Sequence, residues 1–438
     1  MSVSVIAIFD IGKTNKKVFL FDEDYAIRFE KSIQLPEIND EDGFPCEDVL
    51  ALSTWVTDSL KELLALTDFK IKAINFSAHG ASFVNVDENG KPVTPLYNYL
   101  KPFLPALQLK FYDTYGGKSF AITTASPVLG HLNSGMQLYW LKKERPDIFN
   151  KIKYALHLPE YISWLVTKTF VSGITSIGCH TNLWDFSKNK YHNWVSQEGV
   201  IEKLAPVFPS DHIIKSEING HAVLSGIGLH DSSSALIPYL KYFTEPFVLI
   251  STGTWSISLN PFNDLPLTKE ELEQDCLSYL TYEGKPVKAS RLFAGQEHED
   301  AVKEIAQHFK KPIDYYKKVA YDTNLVQILQ QSENKQNRTA ITSYEKAYHQ
   351  LILNLVKKQK ISTELVIQNT PVNNIFVDGG FSQNGIYMKL LAQAFPTKKV
   401  YAASLHQASA LGAAMVIHDH WNSRPLPKEI IQVIDFSI

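Results

Sequence analysis

Three short runs of this 438-residue chain carry residue types that handle phosphate. In FDIGKTN (9–15), Gly12, Thr14 and Asn15 follow an acid, Asp10, at the end of an apolar stretch. In STGTWS (251–256), Thr252, Gly253 and Thr254 make a similar polar bend. In DGGFSQN (378–384), Gly379 and Gly380 end an apolar run and Asn384 precedes an amphipathic one. A bend of glycine and hydroxyl residues aims backbone N–H groups and hydroxyls one way, and such a concavity holds phosphate oxygens without a helix behind it. Gly12-Lys13-Thr14 is not the end of a P-loop. That motif needs a glycine five positions earlier, where Ala7 stands, and a following helix, where Lys16–Asp22 reads as a strand.

Two acids could act chemically. Asp10 ends a buried strand, where Mg2+ held through water is a natural partner; a turn cap is the alternative. Asp231, in GLHDSSSAL (228–236), opens a helix whose N-terminus favours the ionised carboxylate. A general base and a plain N-cap are both open to it. QEHED (296–300) could hold a metal, but an acid-rich first turn of a helix over 297–309 accounts for it more simply.

The elements around these residues alternate strand and helix. Residues 4–10 with 16–22 and the block from 246 to 260 each read as strand, glycine turn, strand. Gly12 and Gly253 are the matching glycines, a little over half the chain apart, which suggests two similar halves; two unrelated hairpins would give the same short match. Helical spacing covers 51–66, 231–240, 344–369, 382–395 and 407–418, and 374–378 reads as a strand. Residues 132–169 have helical spacing interrupted at Pro146 and Pro159. The lysines 357, 358 and 360 read as a solvated face, and Trp184 and Trp194 as core.

Hydrophobic content of 45% and charged content of 20% describe a globular protein long enough for two domains, divided here at 1–240 and 241–438. A net charge of −3 gives no electrostatic case for nucleic acid or anionic membrane. No apolar run approaches a membrane span, and no leader pattern opens the chain. Three scattered cysteines point to a reducing, cytoplasmic setting without disulfides. A homodimer is compatible with these data.

Taken together, the first glycine-turn hairpin, LHDSSSAL (229–236), STGTWS, DGGFSQN and QASALGAA (407–414) occur in an order and spacing that resembles the FGGY carbohydrate kinases of the actin/hexokinase-like ATPase superfamily, with wording nearest rhamnulokinase-like, fuculokinase-like and xylulokinase-like members. The resemblance implies an α/β fold of two ribonuclease H-like domains with an ATP and sugar cleft between them. It implies ATP and Mg2+ as cofactors and a small sugar as substrate. Asp10, Gly12, Thr14 and Asn15 match the first phosphate motif, with Lys17 near a position that is basic in relatives. Thr252, Gly253 and Thr254 match the second, and Gly379, Gly380 and Asn384 the adenosine motif. Asp231 matches the catalytic base. SAHGASFVNVD (77–87) resembles the sugar-contacting segment, with His79 and Gly80 in matching places; Tyr99, Glu160 and His180 are further sugar candidates, His180 being equally open to a structural role.

The chain departs from the family pattern at the sugar end. Tyr99 stands where relatives have Asp, Glu160 where they have Asp, Gln137 where Lys is common and Gln407 where Glu is common. The expected reaction is transfer of the ATP γ-phosphoryl group to a hydroxyl of a ketose such as L-rhamnulose, L-fuculose or xylulose. Tyr99 favours one with fewer hydroxyls. A non-catalytic ATP-binding sugar sensor and a glycerol-type kinase are the competing readings. Lys13 is expected to point outward.

Overall fold

A computed structural model describes residues 2–334 and 341–438. Its first half is organised by β1 (Val3–Ile11), a nearly unbroken apolar strand buried on both sides. Strands of that kind need cover on both faces. Strict alternation divides the work: Val5, Ala7, Phe9 and Ile11 join one core, Ile6 and Ile8 the other. β2 (Lys16–Asp22) and β3 (Ile27–Ile33) follow as an antiparallel meander. A small hairpin, β4 (Glu37–Asn39) with β5 (Pro45–Glu47), leads into α1 (Val49–Leu64). Asp48 starts that helix by accepting from the N–H groups of Leu50 and Ala51, two donors that otherwise have no partner in the first turn.

β6 (Phe69–Ala78) returns parallel to β1. After an insertion, β7 (Ile213–Ile218), β8 (His221–Gly226) and β9 (Leu229–His230) complete a seven-stranded sheet of order β7-β8-β6-β1-β2-β3, with β9 also on β6. The insertion, 81–212, packs short helices and hairpins around an aromatic core that includes Phe83, Phe111, Trp140 and Trp194. Pro146 and Pro159 do not interrupt helices there. They occupy first turns, where the missing N–H costs nothing.

The second half repeats the plan. The helix that follows β9 is α2 (Asp231–Tyr242), and it delivers the chain to β10 (Phe247–Thr252) and β11 (Ser256–Asn260). β12 (Cys276–Leu280) and β13 (Pro286–Leu292) extend the sheet on one side. Beyond α3 (Ala294–His308) and α4 (Tyr344–Ile367), β14 (Asn374–Gly379), α5 (Gly385–Ala394), β15 (Lys399–Ser404), α6 (Ala408–Val416) and β16 (Gln432–Asp435) finish it. The order is β12-β13-β11-β10-β14-β15-β16. As β1 lies between antiparallel β2 and parallel β6, so β10 lies between antiparallel β11 and parallel β14.

One core joins the halves. Ile6, Ile8, Phe19 and Phe21 of the first sheet and Phe247 and Leu249 of the second meet across α2 and the small-residue helix α6. Asn75 on β6 donates to the carbonyl of Ala413 on α6 at 2.8 Å, which ties the last helix to the first sheet.

Candidate active site

The two glycine turns have the same construction. Gly12 N–H donates to the Asn15 carbonyl at 2.9 Å between β1 and β2; Gly253 N–H donates to the Trp255 carbonyl at 2.8 Å between β10 and β11. Thr14 and Asn15 at one tip, and Gly253 and Thr254 at the other, are exposed. Thr252 differs from the sequence expectation of an open hydroxyl. It is buried, donating to the Asp378 carbonyl at 2.5 Å and accepting from Phe381 N–H at 3.0 Å, so its side chain ties β10 to the DGG loop.

Asp10 ends β1 beside α6, where the Ser409 hydroxyl donates to its Oδ2 at 2.9 Å. Burial pushes its pKa up to about 6, and the charge of Asp231 adds to this, while Ser409, Ser77 and Lys17 pull the other way. A buried acid with an uncompensated charge suits a cation, and a lone carboxylate beside hydroxyls suits a hydrated Mg2+. Lys17 donates instead to Gln407 Oε1 at 3.4 Å.

A cavity of about 640 Å3 opens beside the second turn. Gly253, Thr254, Gly380 and Asn384 line it together with four aromatic rings that the sequence did not single out for it: His298, Tyr316, Tyr348 and Phe381. Asn384 caps α5 through its Oδ1 and donates its Nδ2 to Tyr348 Oη at 2.8 Å; Tyr348 Oη in turn meets His298 Nε2 at 3.0 Å. Burial lowers His298 to about 4, so the ring is neutral. No group of three His, Cys, Asp or Glu side chains fit for a metal occurs among the described residues, and QEHED is the first turns of α3, with Glu297 paired to Lys358 at 2.7 Å. Lys358 is therefore part of an ion pair and not simply a solvated face.

Asp231 is the first residue of α2, its side chain about one-third exposed. It borders a cavity of about 340 Å3 between the halves, shared with Ser251 and Asp378 from the second sheet and Gln407 and Ser409 before and on α6. Its Oδ1 accepts from Ser232 N–H at 2.6 Å and lies 3.2 Å from His230 Nε2. Burial holds the His230 pKa down, although Asp231 favours its charged form. A neutral His230 contacts both Asp231 and the Cys179 sulfur, the latter at 3.1 Å. Its ring fits because position 80 is glycine: a Cβ there would stand 2.8 Å from the imidazole.

The sugar-side candidates divide into two groups. His79 and Tyr99 stand together, rings 6.0 Å apart edge to face. His180 and Glu160 lie deeper. His180 is buried, its Nδ1 against the Leu132 carbonyl at 3.1 Å and its pKa lowered to about 3 by burial. Glu160 is wholly buried, accepting from Gly173 N–H at 3.1 Å, and burial raises it to about 8. None of these four residues borders either cavity. Gln137 is an amide that donates to the Ala81 and His131 carbonyls, both at 2.7 Å, and so fixes the loop after Gly80. Lys13 reverses the outward expectation: its ammonium binds Glu47 at 3.1 Å and stands over the Tyr99 ring at 5.7 Å. Glu47 carried no motif signal, because its partners Lys13, Lys16 and His79 come from two segments far from it in the sequence. Tyr279 was equally silent; it reaches from β12 to stack against His230, centroids 5.8 Å apart.

An apolar groove of about 540 Å3 between the 105–123 region and residues 269–273 contains none of these residues.

Over 261 residues the chain is 24% identical to a rhamnulokinase of Halalkalibacterium halodurans, covering 56% of this chain and 52% of that protein. Over 385 residues it is 22% identical to a rhamnulokinase of Oceanobacillus iheyensis, covering 78% and 77%. The chain thus matches about half the length of the first of these relatives and three quarters of the second. Among solved structures, a carbohydrate kinase from Novosphingobium aromaticivorans superposes with a TM-score of 0.81 at 22% identity, covering 100% of this chain and 95% of that one. A xylulose kinase from Lactobacillus acidophilus gives 0.79 at 14%, covering 99% and 93%. The fold is therefore α/β, with the two ribonuclease H-like lobes of the actin-like ATPases. Residues 5–237 match the N-terminal domain of the FGGY family of carbohydrate kinases and residues 244–425 the carbohydrate kinase FGGY C-terminal domain. With more than half of its length matched by the first of these alone, the chain belongs to the FGGY family of carbohydrate kinases.

Proposed function

We propose that this protein is an ATP- and Mg2+-dependent sugar kinase, and that its substrate is a small ketose such as L-rhamnulose, L-fuculose or xylulose. The observation that carries the reading is the placement of Asp231. A partly exposed carboxylate opens a helix at the wall of an interlobe cavity that the strands of the second phosphate turn also line, and Ser409 on that wall donates to Asp10 at the end of the strand before the first turn. In this reading residues 1–240 supply the sugar site, the first phosphate turn and the base, and residues 241–438 the second turn and the adenosine site.

Phosphoryl transfer asks for positioning and charge neutralisation more than covalent help. The tips at Gly12, Thr14 and Asn15 and at Gly253 and Thr254 hold the β- and γ-phosphates; Gly380 and Asn384 border the adenosine. Mg2+, when bound, neutralises phosphate charge, with Asp10 holding it through water. Asp231 takes the proton from the attacking sugar hydroxyl, the new O–P bond forms, the β–γ bridging bond breaks and ADP leaves. His79, Gly80 and Tyr99 orient the sugar, and Glu160 and His180 support that wall from behind. Tyr99 offers a neutral phenol in place of a carboxylate, which favours a sugar with fewer hydroxyls to bind. Three buried free cysteines suit a reducing cytoplasmic setting. No helix among the described residues is long and apolar enough to cross a membrane.

The test is a coupled assay for ADP release with L-rhamnulose, L-fuculose, D-xylulose, glycerol and D-gluconate. Ketose-dependent release supports the reading. Preference for glycerol or D-gluconate over every ketose overturns the substrate class. ADP release without acceptor identifies an ATPase, and none with any acceptor leaves the sensor reading in its place.

A further inference from the structure

The mechanism above leaves Glu47 unused, yet it is the most heavily partnered acid near the cleft. Its side chain is 8% exposed. Oε1 accepts from Lys13 Nζ at 3.1 Å and meets His79 Nε2 at 3.0 Å, while Oε2 lies 2.8 Å from Lys16 Nζ. Lys16 also donates to the backbone carbonyl of Lys13 at 2.8 Å, so it holds the turn itself. Lys13 and Lys16 belong to the first phosphate turn; His79 belongs to the sugar-facing segment.

The carboxylate is rigidly presented. Glu47 ends β5 and bridges the backbone of Leu96. Lys101 clamps the preceding hairpin through Asp40 and Asp42, at 2.6 Å each, and Asn98 donates to the Pro45 carbonyl at 3.1 Å. Burial alone would raise the Glu47 pKa, but the His79 hydrogen bond and charge and the two lysines hold it well below the usual carboxylate range. An ionised group taken out of water persists only while its partners stay in place, and losing one leaves a charge uncompensated. A sugar hydroxyl that draws on His79 therefore changes what Glu47 offers to Lys13 and Lys16, and nucleotide phosphate at the turn changes what it offers to His79.

We infer that Glu47 is a positioning residue that couples the sugar segment to the first phosphate turn, so that sugar and nucleotide strengthen each other's binding. The inference rests on the kinase reading. Coupling of this kind is reciprocal, and ordinary values run from roughly 5- to 150-fold.

The experiment measures Mg·ADP binding to the full chain by calorimetry, with and without whichever of L-rhamnulose, L-fuculose and D-xylulose the wild type phosphorylates fastest. In the wild type the ketose tightens ADP several-fold. Glu47→Gln brings that factor close to one. Lys13→Met, which leaves the Glu47–His79 contact intact, does the same, and it decides the matter if Glu47→Gln fails to fold. A purely structural Glu47 would lower the unfolding midpoint and leave the factor untouched. A wild-type factor of one, or a wild-type factor retained in the folded variants, overturns this inference while the kinase reading stands. If the wild type phosphorylates glycerol or D-gluconate but no ketose, that acceptor replaces the ketose in the same measurement; a wild type that phosphorylates no acceptor overturns both.

Discussion

At the scale of single residues, two acids with opposite settings allow direct tests. Asp231 is partly open and touches only its own helix start and a neutral imidazole. A general base contributes about 10²–10⁴-fold, so Asp231→Asn should lower kcat by that factor with the unfolding midpoint little changed. Near-normal kcat would remove Asp231 from the role. Glu160 is buried and held protonated, its pKa raised by burial from 4.5 to about 8. The folded state then keeps a proton that the unfolded chain releases, so stability falls as pH rises from about 4.5 to 8 and levels off above. At 1.36 kcal/mol per pKa unit, the loss is on the order of a few kcal/mol. Glu160→Gln should remove that loss, and urea midpoints at pH 5 and pH 8 should show the variant gaining on the wild type at the higher pH. A pH-independent difference would contradict the buried neutral acid. The residues proposed for the phosphate turns, and Asp231, could be singled out from the sequence because each sits in a short contiguous run. Glu47 was not, since its lysine and histidine partners approach from 31 to 34 positions away, and neither was Lys13's inward direction, which only those partners explain.

At the scale of elements, helix starts and turns fit together with almost no spare room. α3 begins beside the second glycine turn, and Gln296 N–H donates to the Thr254 carbonyl at 3.2 Å. A Cβ at Gly295 would come 1.8 Å from the Gly253 carbonyl oxygen, a backbone atom that cannot rotate away. Gly295→Ala must therefore displace the turn. Overpacking of this kind costs about 1–3 kcal/mol, and 1.4 kcal/mol is tenfold in affinity. The KM for ATP should rise on the order of tenfold, with the KM for the ketose changing much less. Equal changes in both would mean that the turn does not contact nucleotide. The strand–glycine–strand hairpins were readable because apolar runs and glycine punctuation coincide. The insertion was harder: Pro146 and Pro159 look like breaks, but a proline in a helix's first turn leaves no mark that separates it from one that ends a helix.

At the scale of the whole molecule, the two halves are alike in plan but do not own separate cores. The repeated glycine turn made the plan visible in the sequence. The sharing was hidden, because the small residues of α6 give no preferred face to read. In the structure that helix, from the second half, lies against β1 and β6 of the first and against α2, with Ser234 Oγ donating to the Ser409 carbonyl at 2.7 Å. Ile6, Ile8, Phe19, Phe21, Leu236 and Ile237 share one buried cluster with Phe247, Leu249, Ala410, Leu411 and Ala413 to Ile417 of the second half. Cut at 240, the first half would present this sheet face and helix to water as one contiguous apolar patch, well beyond what a monomer tolerates. Residues 1–240 expressed alone should therefore aggregate or unfold without a cooperative transition, whereas the full chain should lose the tertiary signals of both halves at one urea midpoint. Tryptophan fluorescence weights the first half, which holds five of the seven tryptophans, with Trp421 in the common core and Trp255 in the second half, and far-UV circular dichroism follows the whole. Two separated midpoints, or a soluble fragment with a sharp transition of its own, would show that each lobe stands without the other and that the common core adds little.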